Sequence, residues 1–142
     1  FFSTLSRGRY ALRLMEGPKG GNALGGLDLE VLDGASMLPR SIETLSGGEQ
    51  FLASLSLAFG LSDVVQAHSG AVRLDALFID EGFGSLDGET LDVAMKALAM
   101  LQNSGRLVGI ISHVSELKNR IPCRVEVTRD GNGLAHAGIR TQ

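Results

Sequence analysis

Two short segments near the start of the chain place an apolar residue at every second position. They cover residues 10–14 and 27–31. This alternation predicts β-strands that are buried on one face. Residues 17–26, between the two strands, are rich in glycine and predict a flexible loop. The simplest arrangement of these three segments is an antiparallel pair of strands.

Two longer segments predict helices. Residues 48–66 are apolar at positions that point in most directions around a helix, which predicts a helix buried on several sides. Residues 91–101 carry their apolar side chains along one stripe at helical spacing. On the outer face of this second helix, Asp92 and Lys96 are one turn apart and can form an ion pair.

Residues 74–79 and 107–111 are continuous apolar runs that flank the second predicted helix. Such runs are typical of parallel strands that are covered on both faces. Strand, helix and strand would then form a right-handed βαβ unit. Near the end of the chain, 124–128 and 134–139 predict two strands joined by a turn at Asp130–Gly133, which is a hairpin.

Together these elements predict one α/β domain, residues 1–142, with parallel strands, flanking helices and antiparallel strands at both ends. Of the 142 residues, 44% are hydrophobic and 20% are charged, which favours a folded core over disorder. The net charge of −3 provides no general attraction for nucleic acid. Any contact with DNA would therefore require a local patch or another part of the protein.

Cysteine content and the start of the chain bear on the compartment. Cys123 is the single cysteine, so no internal disulfide can form, which favours a reducing cytoplasm. No apolar run is expected to be long enough to cross a membrane, and the first residues lack a signal-peptide pattern. The abrupt start predicts a piece of a longer polypeptide.

The first segment with candidate chemistry is Leu45–Gln50, where the first long helix is predicted to begin. Ser46 and Glu49 have the spacing of a capping box, which satisfies the free N–H groups of the first helical turn. Gly47 and Gly48 lie between them, although a capping box does not need glycine. Glycines would let backbone N–H groups approach an anion, so the segment has both a structural and an anion-binding interpretation.

The second segment is Asp80-Glu81, at the end of an apolar strand. Open α/β sheets bind ligands at this edge. There an aspartate can hold Mg²⁺, and a neighbouring carboxylate can orient or deprotonate a water molecule. The alternative is that both acids only end the strand and face solvent.

Two further residues depend on context. Asp87 precedes the second predicted helix and could simply cap it. His113 follows the second apolar strand, and a lone histidine there is more often structural than catalytic. His113 gains interest because its strand should lie beside the strand that ends at Asp80 and Glu81.

In combination and in this order, the segments resemble the motifs of ABC-type ATPases. Leu45–Gln50 resembles the signature motif, and Asp80-Glu81 resembles the Walker B acids. Ser85-Leu86-Asp87 resembles the D-loop, and His113 resembles the switch histidine. The resemblance implies an ATPase fold for the whole chain.

Three stretches narrow the resemblance to the SbcC family: Ser46–Leu55, Phe78–Asp87 and Arg106–His113. SbcC proteins are the bacterial ATPases of a nuclease complex that processes DNA breaks, and they are distant relatives of the SMC chromosome proteins. Transporter ATPases usually carry glutamine at the position of Glu49 and proline at the position of Gly82. The resemblance is strong between residues 41 and 128 and weak before residue 27.

The phosphate-loop pattern G-x-x-x-x-G-K-[ST] is missing from the sequence. The nearest match is Gly17–Gly20, in which Lys19 is followed by glycine. In SbcC-like proteins the phosphate loop lies in an N-terminal segment, beyond a long antiparallel coiled coil. The resemblance therefore implies that this chain is the C-terminal half, or C-terminal lobe, of a split ABC-type P-loop ATPase head. The chain alone would not hydrolyse ATP, whereas the full-length protein would be an ATPase.

The resemblance also implies a role for each motif residue when two heads enclose ATP and Mg²⁺. Asp80 would hold the water shell of Mg²⁺, and Glu81 would position or deprotonate the attacking water. His113 would contact the γ-phosphate from the same head. The residues implied to bind nucleotide or to act across the head interface are Ser46, Gly47, Gly48, Glu49, Gln50 and Asp87.

The implied partners are the N-terminal lobe of the same polypeptide, a second head, an SbcD-like nuclease and DNA reached through the assembled complex. The implied location is the bacterial cytoplasm, at the nucleoid, with no membrane contact. Two alternatives stay open. One is a head of an SMC-like or RecN-like ATPase that organises DNA without a nuclease, and the other is an interaction module that has lost ATP chemistry.

Overall fold

The computed structural model describes residues 1–15, 28–69 and 74–141. The helices in these ranges are α1 (Phe2–Leu5), α2 (Gly47–Ser69), α3 (Gly88–Asn103) and α4 (Ser115–Lys118). The strands are β1 (Tyr10–Leu14), β2 (Leu29–Asp33), β3 (Pro39–Ser41), β4 (Ala76–Asp80), β5 (Leu107–Ile111), β6 (Cys123–Arg129) and β7 (Ala135–Thr141). Short 3₁₀ helices cover Ile42–Thr44 and Phe83–Ser85. The predicted glycine-rich loop lies outside the described residues.

The first sheet has the strand order β1-β2-β3. Strands β1 and β2 are antiparallel, with Tyr10 opposite Asp33, so the predicted pair is confirmed. The buried side chains of Tyr10 and Val31 face the core. The third strand was not predicted, because its three residues include Pro39 and show no apolar alternation.

Strands β4 and β5 form the predicted parallel pair, with Ala76 opposite Leu107 and Asp80 opposite Ile111. Helix α3 connects them and buries one stripe, formed by Leu91, Ala94, Ala97 and Leu98. The expectation that both faces of the pair are covered is wrong for the described residues. Phe78 is 67% exposed, because the elements described here pack on the opposite face of the pair.

The expectation that α2 is buried on several sides is also wrong within the described residues. Its first half contributes Leu52, Leu55 and Phe59 to the core, whereas Leu61 and Val64 in its second half are 65% and 55% exposed. The sequence pattern reports apolar positions and does not show whether this chain contains enough neighbours to cover them.

The membrane expectation needs a correction as well. By length and composition alone, Gly47–His68 of α2 could cross a membrane. Core helices of soluble proteins pass the same test, and one such helix is weak evidence. The N-terminal half of this helix packs in the core, and polar residues such as Glu49 and Asp63 flank its apolar stretch.

The carboxylate on the outer face of α3 pairs with a residue outside the helix. Asp92 forms an ion pair with Arg120, which follows α4, and Arg120 also binds Glu116 at 2.6 Å. The sequence pattern favoured Lys96 because it is near Asp92 along the helix, but the tertiary structure brings a guanidinium to the carboxylate. The pair therefore ties α3 to α4.

The predicted C-terminal hairpin is confirmed. Strands β6 and β7 are antiparallel, with Cys123 opposite Thr141. In the turn, the Asp130 carboxylate accepts hydrogen bonds from the backbone N–H groups of Asn132 and Leu134, both at 2.9 Å. Gly133 has φ +83°, a conformation that favours glycine.

Candidate functional site

The carboxyl ends of β4 and β5 meet at one edge of the parallel pair, as parallel strands require. Asp80 is the last residue of β4, opposite Ile111. The N–H of Glu81 donates to the carbonyl of Ile111 at 2.9 Å and extends the ladder by one residue. His113 comes two residues after Ile111, so both chain segments bring their polar residues to this edge. We call Asp80, Glu81 and His113 the strand-edge group.

Glu81 and His113 are in direct contact. His113 Nδ1 lies 2.9 Å from Glu81 Oε2, and the side chains of His113 and Glu81 are 81% and 48% exposed, respectively. A pair this exposed contributes little to folding stability. The contact therefore brings a carboxylate and an imidazole together at the strand ends without being needed to hold the strands.

The backbone at Glu81 is strained. Its φ is +60°, the left-handed region, which costs a residue with a side chain roughly 1–2 kcal/mol. Gly82 follows with φ +97°, and a Cβ there would lie 2.6 Å from the ring of Phe51. The chain thus turns sharply after β4 and passes close to α2, directly after the residue that contacts His113.

The start of α2 has the predicted capping box. The Ser46 N–H donates to Glu49 Oε2 at 2.9 Å, and the Glu49 N–H donates to Ser46 Oγ at 3.3 Å. Partial burial opposes ionisation of Glu49, but the hydrogen bond from the Ser46 N–H, the nearby Tyr10 hydroxyl and the Arg9 charge together lower the pKa of this carboxyl. The next residue, Gln50, donates from Nε2 to the Leu45 carbonyl at 3.1 Å.

The two glycines of this segment have a packing role that the sequence did not reveal. A Cβ at Gly47 would lie 3.3 Å from the Cβ of Ser85, and one at Gly48 would lie 3.5 Å from Leu86 Cδ2. The start of α2 therefore packs against the segment that joins β4 to α3. Sequence spacing could not show this contact, because it joins residues almost forty positions apart.

Asp87 caps α3, as one interpretation of the sequence predicted. Its carboxylate accepts a hydrogen bond from the N–H of Thr90 at 2.7 Å. This bond lowers the pKa of Asp87 because it stabilises the ionised form. We call Ser46, Gly47, Gly48, Glu49, Gln50 and Asp87 the helix-start group.

Residues 82–85 join the two groups. Gly82 passes against Phe51 of α2, and a Cβ at Gly84 would lie 4.0 Å from His113 Nε2. Ser85, at the other end, contacts Gly47. The structure thus brings all four motif segments into one connected region, while the role of each residue stays a prediction.

The donor set fits a magnesium ion that is only partly held by this chain. The described residues contain no group of three or more histidine, cysteine, aspartate or glutamate side chains that could hold a metal. Mg²⁺ usually keeps several waters and takes one or two carboxylates together with phosphate oxygens. Asp80, exposed at a strand end, has the right chemistry for one such ligand.

Sequence reasoning missed a cluster beside the helix-start group. Arg9 Nη1 lies 3.3 Å from Glu49 Oε1, and the guanidinium carbons of Arg9 and Arg40 lie 4.7 and 4.8 Å from the centre of the Tyr10 ring. Arg9 and Glu49 also line a groove of about 380 Å³, which does not include the strand-edge group. The only sequence signal was an arginine next to a strand.

Comparison with known sequences gives a consistent result. A family model described as SbcC/RAD50-like, Walker B motif, matches residues 27–100. The chain is 59% identical over 132 residues to the SbcC component of the SbcCD nuclease from Vibrio cholerae, and 53% identical over 128 residues to the same component from Staphylococcus aureus. These matches cover 92% and 90% of this chain but 13% and 12% of the relatives. The chain therefore spans only a small part of the curated relatives it matches.

Comparison with solved structures shows the fold. A crystal structure of an Smc head bound to the C-terminal winged-helix domain of ScpA has a TM-score of 0.70 at 22% identity, covering 99% of this chain and 40% of that one. An Smc head domain with an extended coiled coil from Pyrococcus furiosus has a TM-score of 0.67 at 21% identity, covering 99% and 32%. The predicted α/β fold of an ABC-type ATPase head is thereby confirmed.

Proposed function

Because this chain belongs to the SbcC/RAD50-like family, we propose that it is the C-terminal lobe of a split ATPase head. In this proposal the N-terminal lobe of the same polypeptide supplies the phosphate loop. Two complete heads then enclose ATP, and their engagement and release gate an SbcD-like nuclease that acts on DNA ends. The small fraction of the relatives that this chain covers is in keeping with one lobe of a longer protein.

The observation that carries the proposal is the contact between Glu81 and His113 at the carboxyl edge of a parallel strand pair. Binding sites in α/β folds lie at this edge. A carboxylate next to an imidazole can accept a proton from water while the imidazole holds its orientation. The left-handed backbone at Glu81 agrees with this, because such backbone clusters at functional sites; Arg7 and Met37 share it elsewhere, so the support comes from its coincidence with the contact to His113.

The residues of this lobe would divide the work as follows. Asp80 would hold the hydrated magnesium ion, Glu81 would orient the attacking water and accept its proton, and His113 would contact the γ-phosphate held by the same head. Magnesium, when bound, would neutralise charge that develops on the phosphate oxygens. The rigid ladder between β4 and β5 would keep these side chains in register.

Three residues at the start of α2 would contact the nucleotide bound by the opposite head: Ser46, Gly47 and Gly48. Ser46 and Gly47 are exposed at the N-terminus of α2, where backbone N–H groups and the helix dipole favour an anion. In the proposed dimer this helix end would approach the γ-phosphate held by the partner head, with Asp87 at the interface. ATP would then favour the engaged pair of heads, because it binds that state more tightly than the separated state. Hydrolysis of ATP would let the two heads separate.

Exposed apolar residues support the idea that this lobe packs against further structure. Phe78 and Leu107 on the open face of the parallel pair are 67% and 62% exposed. The second half of α2 and the hairpin add further exposed aliphatic side chains, such as Leu61 and Ile139. Large apolar residues left open in this way favour an interface. We assign these apolar faces to contacts with the rest of the head. Separately, we place the protein in the bacterial cytoplasm.

The decisive experiment measures ATP turnover by this chain alone and then mixed with the N-terminal lobe. We expect no turnover by the chain alone and turnover on mixing. Turnover by this chain alone would contradict the split head, because it would require a phosphate-binding site within these residues. No turnover on mixing, when the two lobes demonstrably bind each other, would favour an inert interaction module.

The remaining alternative, a head that organises DNA without a nuclease, shares the same ATP chemistry. The likeness to Smc heads does not favour it, because at about 20% identity a likeness shows the fold alone. The curated relatives are nuclease components by name. Purification of the full-length protein with or without a nuclease partner separates the two.

A further inference from the structure

The guanidinium of Arg9 contacts the same carboxylate that caps α2. Arg9 Nη1 lies 3.3 Å from Glu49 Oε1, while the other oxygen, Oε2, accepts the N–H of Ser46 at 2.9 Å. Each oxygen of the carboxylate therefore has a partner. One partner belongs to the turn that leads into the first sheet, and the other is the backbone of the serine that opens the helix.

Arg9 itself is held at both its backbone and its side chain. The Arg9 carbonyl accepts the N–H of Gly34 at 2.7 Å, and a Cβ at Gly34 would approach that carbonyl oxygen to 3.1 Å. The Arg9 guanidinium lies over the buried ring of Tyr10, which stacks on Phe2 with 5.9 Å between ring centres. The Arg9 guanidinium thus lies between the Tyr10 ring and the Glu49 carboxylate.

The contact between Arg9 and Glu49 is open to solvent on the arginine side, so we expect its contribution to stability to be small. The Arg9 side chain is 63% exposed and that of Glu49 is 24% exposed. Ion pairs of this kind contribute little to the free energy of unfolding. The effect of such an ion pair on side-chain orientation can be larger than its effect on stability. A carboxylate held at one oxygen rotates less, so its other oxygen stays in place to accept the N–H of Ser46.

We propose that Arg9 is a positioning residue for Ser46: it orients the Glu49 carboxylate, which in turn fixes the start of α2 that faces the second head. This inference rests on the proposed function, since it concerns how well Ser46 binds the nucleotide of the partner. Arg9 does not touch the reacting atoms in this arrangement. It links the first sheet to the surface through which two heads engage.

The test uses the full-length protein with Arg9→Gln and the matched control Arg13→Gln. Arg13 lies on β1 and also pairs with a partly buried acid, Glu30, but its ion pair stays within the first sheet. We expect Arg9→Gln to raise the ATP concentration for half-maximal head dimerisation about fivefold, in the range of one exposed ion pair. Arg13→Gln should leave that concentration unchanged, and neither variant should alter nucleotide binding to a single head.

Two further variants separate positioning from a general structural role. Arg9→Lys should restore part of the loss, because lysine keeps the charge but not the planar guanidinium that lies over Tyr10. Combining Arg9→Gln with Glu49→Gln should cost no more than Glu49→Gln alone, since both act through one contact. Equal effects of Arg9→Gln and Arg13→Gln, additive losses in the double variant, or loss of single-head binding in Arg9→Gln would each overturn the inference.

Failure of this inference can be told apart from failure of the proposed function. If Ser46→Arg abolishes ATP-driven dimerisation while Arg9→Gln has no effect, only the positioning role is wrong. If Ser46→Arg also has no effect, the helix start does not serve a second head, and the proposed function itself fails.

Discussion

The helix-start group and the strand-edge group come from equally short sequence motifs. The two groups differ in how far a role in folding explains the residues that they contain. In the helix-start group, Ser46 and Glu49 cap α2, Asp87 caps α3, and Gly47 and Gly48 allow close packing. In the strand-edge group, the contact between Glu81 and His113 is exposed, and Glu81 has a strained backbone.

This difference shows which residues are the stronger indicators of function. A capping serine or aspartate would be retained for folding alone, because an N-cap contributes about 1 kcal/mol. A residue with a strained backbone and an exposed side chain contributes little to the free energy of unfolding. The strand-edge group is therefore the stronger indicator of chemistry, because it joins a left-handed backbone to a carboxylate–imidazole contact at a strand edge. The helix-start group indicates chemistry only through its contact with residues 82–85.

The largest expected effect tests the strand-edge group. In the complete head, Glu81→Gln should lower ATP turnover by about 10²–10⁴-fold, because the amide cannot accept a proton. ATP binding and the unfolding temperature should be kept. Steady-state ATPase assays, nucleotide titrations and thermal unfolding measure these quantities, and normal turnover would remove Glu81 from its proposed role.

The next prediction tests whether the helix-start group does more than cap. Ser46→Arg should abolish ATP-driven dimerisation, because a bulky cation would block the approach of the second head. Ser46→Ala is the matched control, because it removes the cap without adding bulk or charge. Loss of the cap should lower the free energy of unfolding by about 1 kcal/mol. Light scattering with and without ATP measures dimerisation. Unchanged dimerisation of Ser46→Arg would leave Ser46 with a capping role only.

A third prediction concerns the turn between the two groups. Gly82→Ala should destabilise the head by about 3 kcal/mol, since the methyl group would meet the Phe51 ring and the backbone has φ +97°. Gly88→Ala is the control, because a Cβ there meets no atom within 4 Å. Urea denaturation compares the two, and equal stabilities would show that the turn can relax.

The strain at Glu81 gives a fourth, smaller prediction. Glu81→Gly should be more stable than Glu81→Ala by about 1 kcal/mol, because glycine adopts a positive φ without a steric cost. Both variants lose the carboxylate, so the comparison isolates the backbone. If alanine proves as stable as glycine, the strain is not present in solution, and the argument from strain loses its basis.

The smallest effect is the pH dependence of the Asp87 cap. The hydrogen bond from Thr90 lowers the pKa of Asp87 in the folded state, so the stability it provides is present above the pKa of the unfolded chain and is lost as the pH falls through the folded value. Asp87→Asn keeps a capping side chain that does not titrate. The unfolding temperatures of wild type and Asp87→Asn should therefore converge, by a few degrees at most, as the pH is lowered below about 4.

Sequence reasoning succeeded where the signal was local or periodic. The strands around Tyr10 and Phe78, helix α3 and the hairpin turn at Asp130 were predicted from alternation, helical spacing and turn residues. The expected neighbourhood of Glu81 and His113 followed from one rule, that parallel strands end at a common edge. Strand β3 was missed because three residues with a proline carry no period.

Expectations about cover and partners failed for a different reason. Phe78 and Leu61 are apolar in sequence, yet they are exposed in the described structure. The spacing allowed Asp92 to pair with Lys96 within α3, and the structure pairs it with Arg120. An apolar pattern indicates which side chains of a segment tend to be buried. It does not indicate whether the residues that would cover them belong to the same chain.

The sequence by itself determined the local elements, the caps at Ser46 and Asp87, and the family resemblance, because each depends on residues a few positions apart. Only the tertiary structure decided that Gly47 packs on Ser85, that Arg9 reaches Glu49, and that Glu81 takes a left-handed backbone toward His113. Those contacts join residues far apart in the chain. They arise when the sheets and helices bury their apolar faces together, and no short sequence window contains that information.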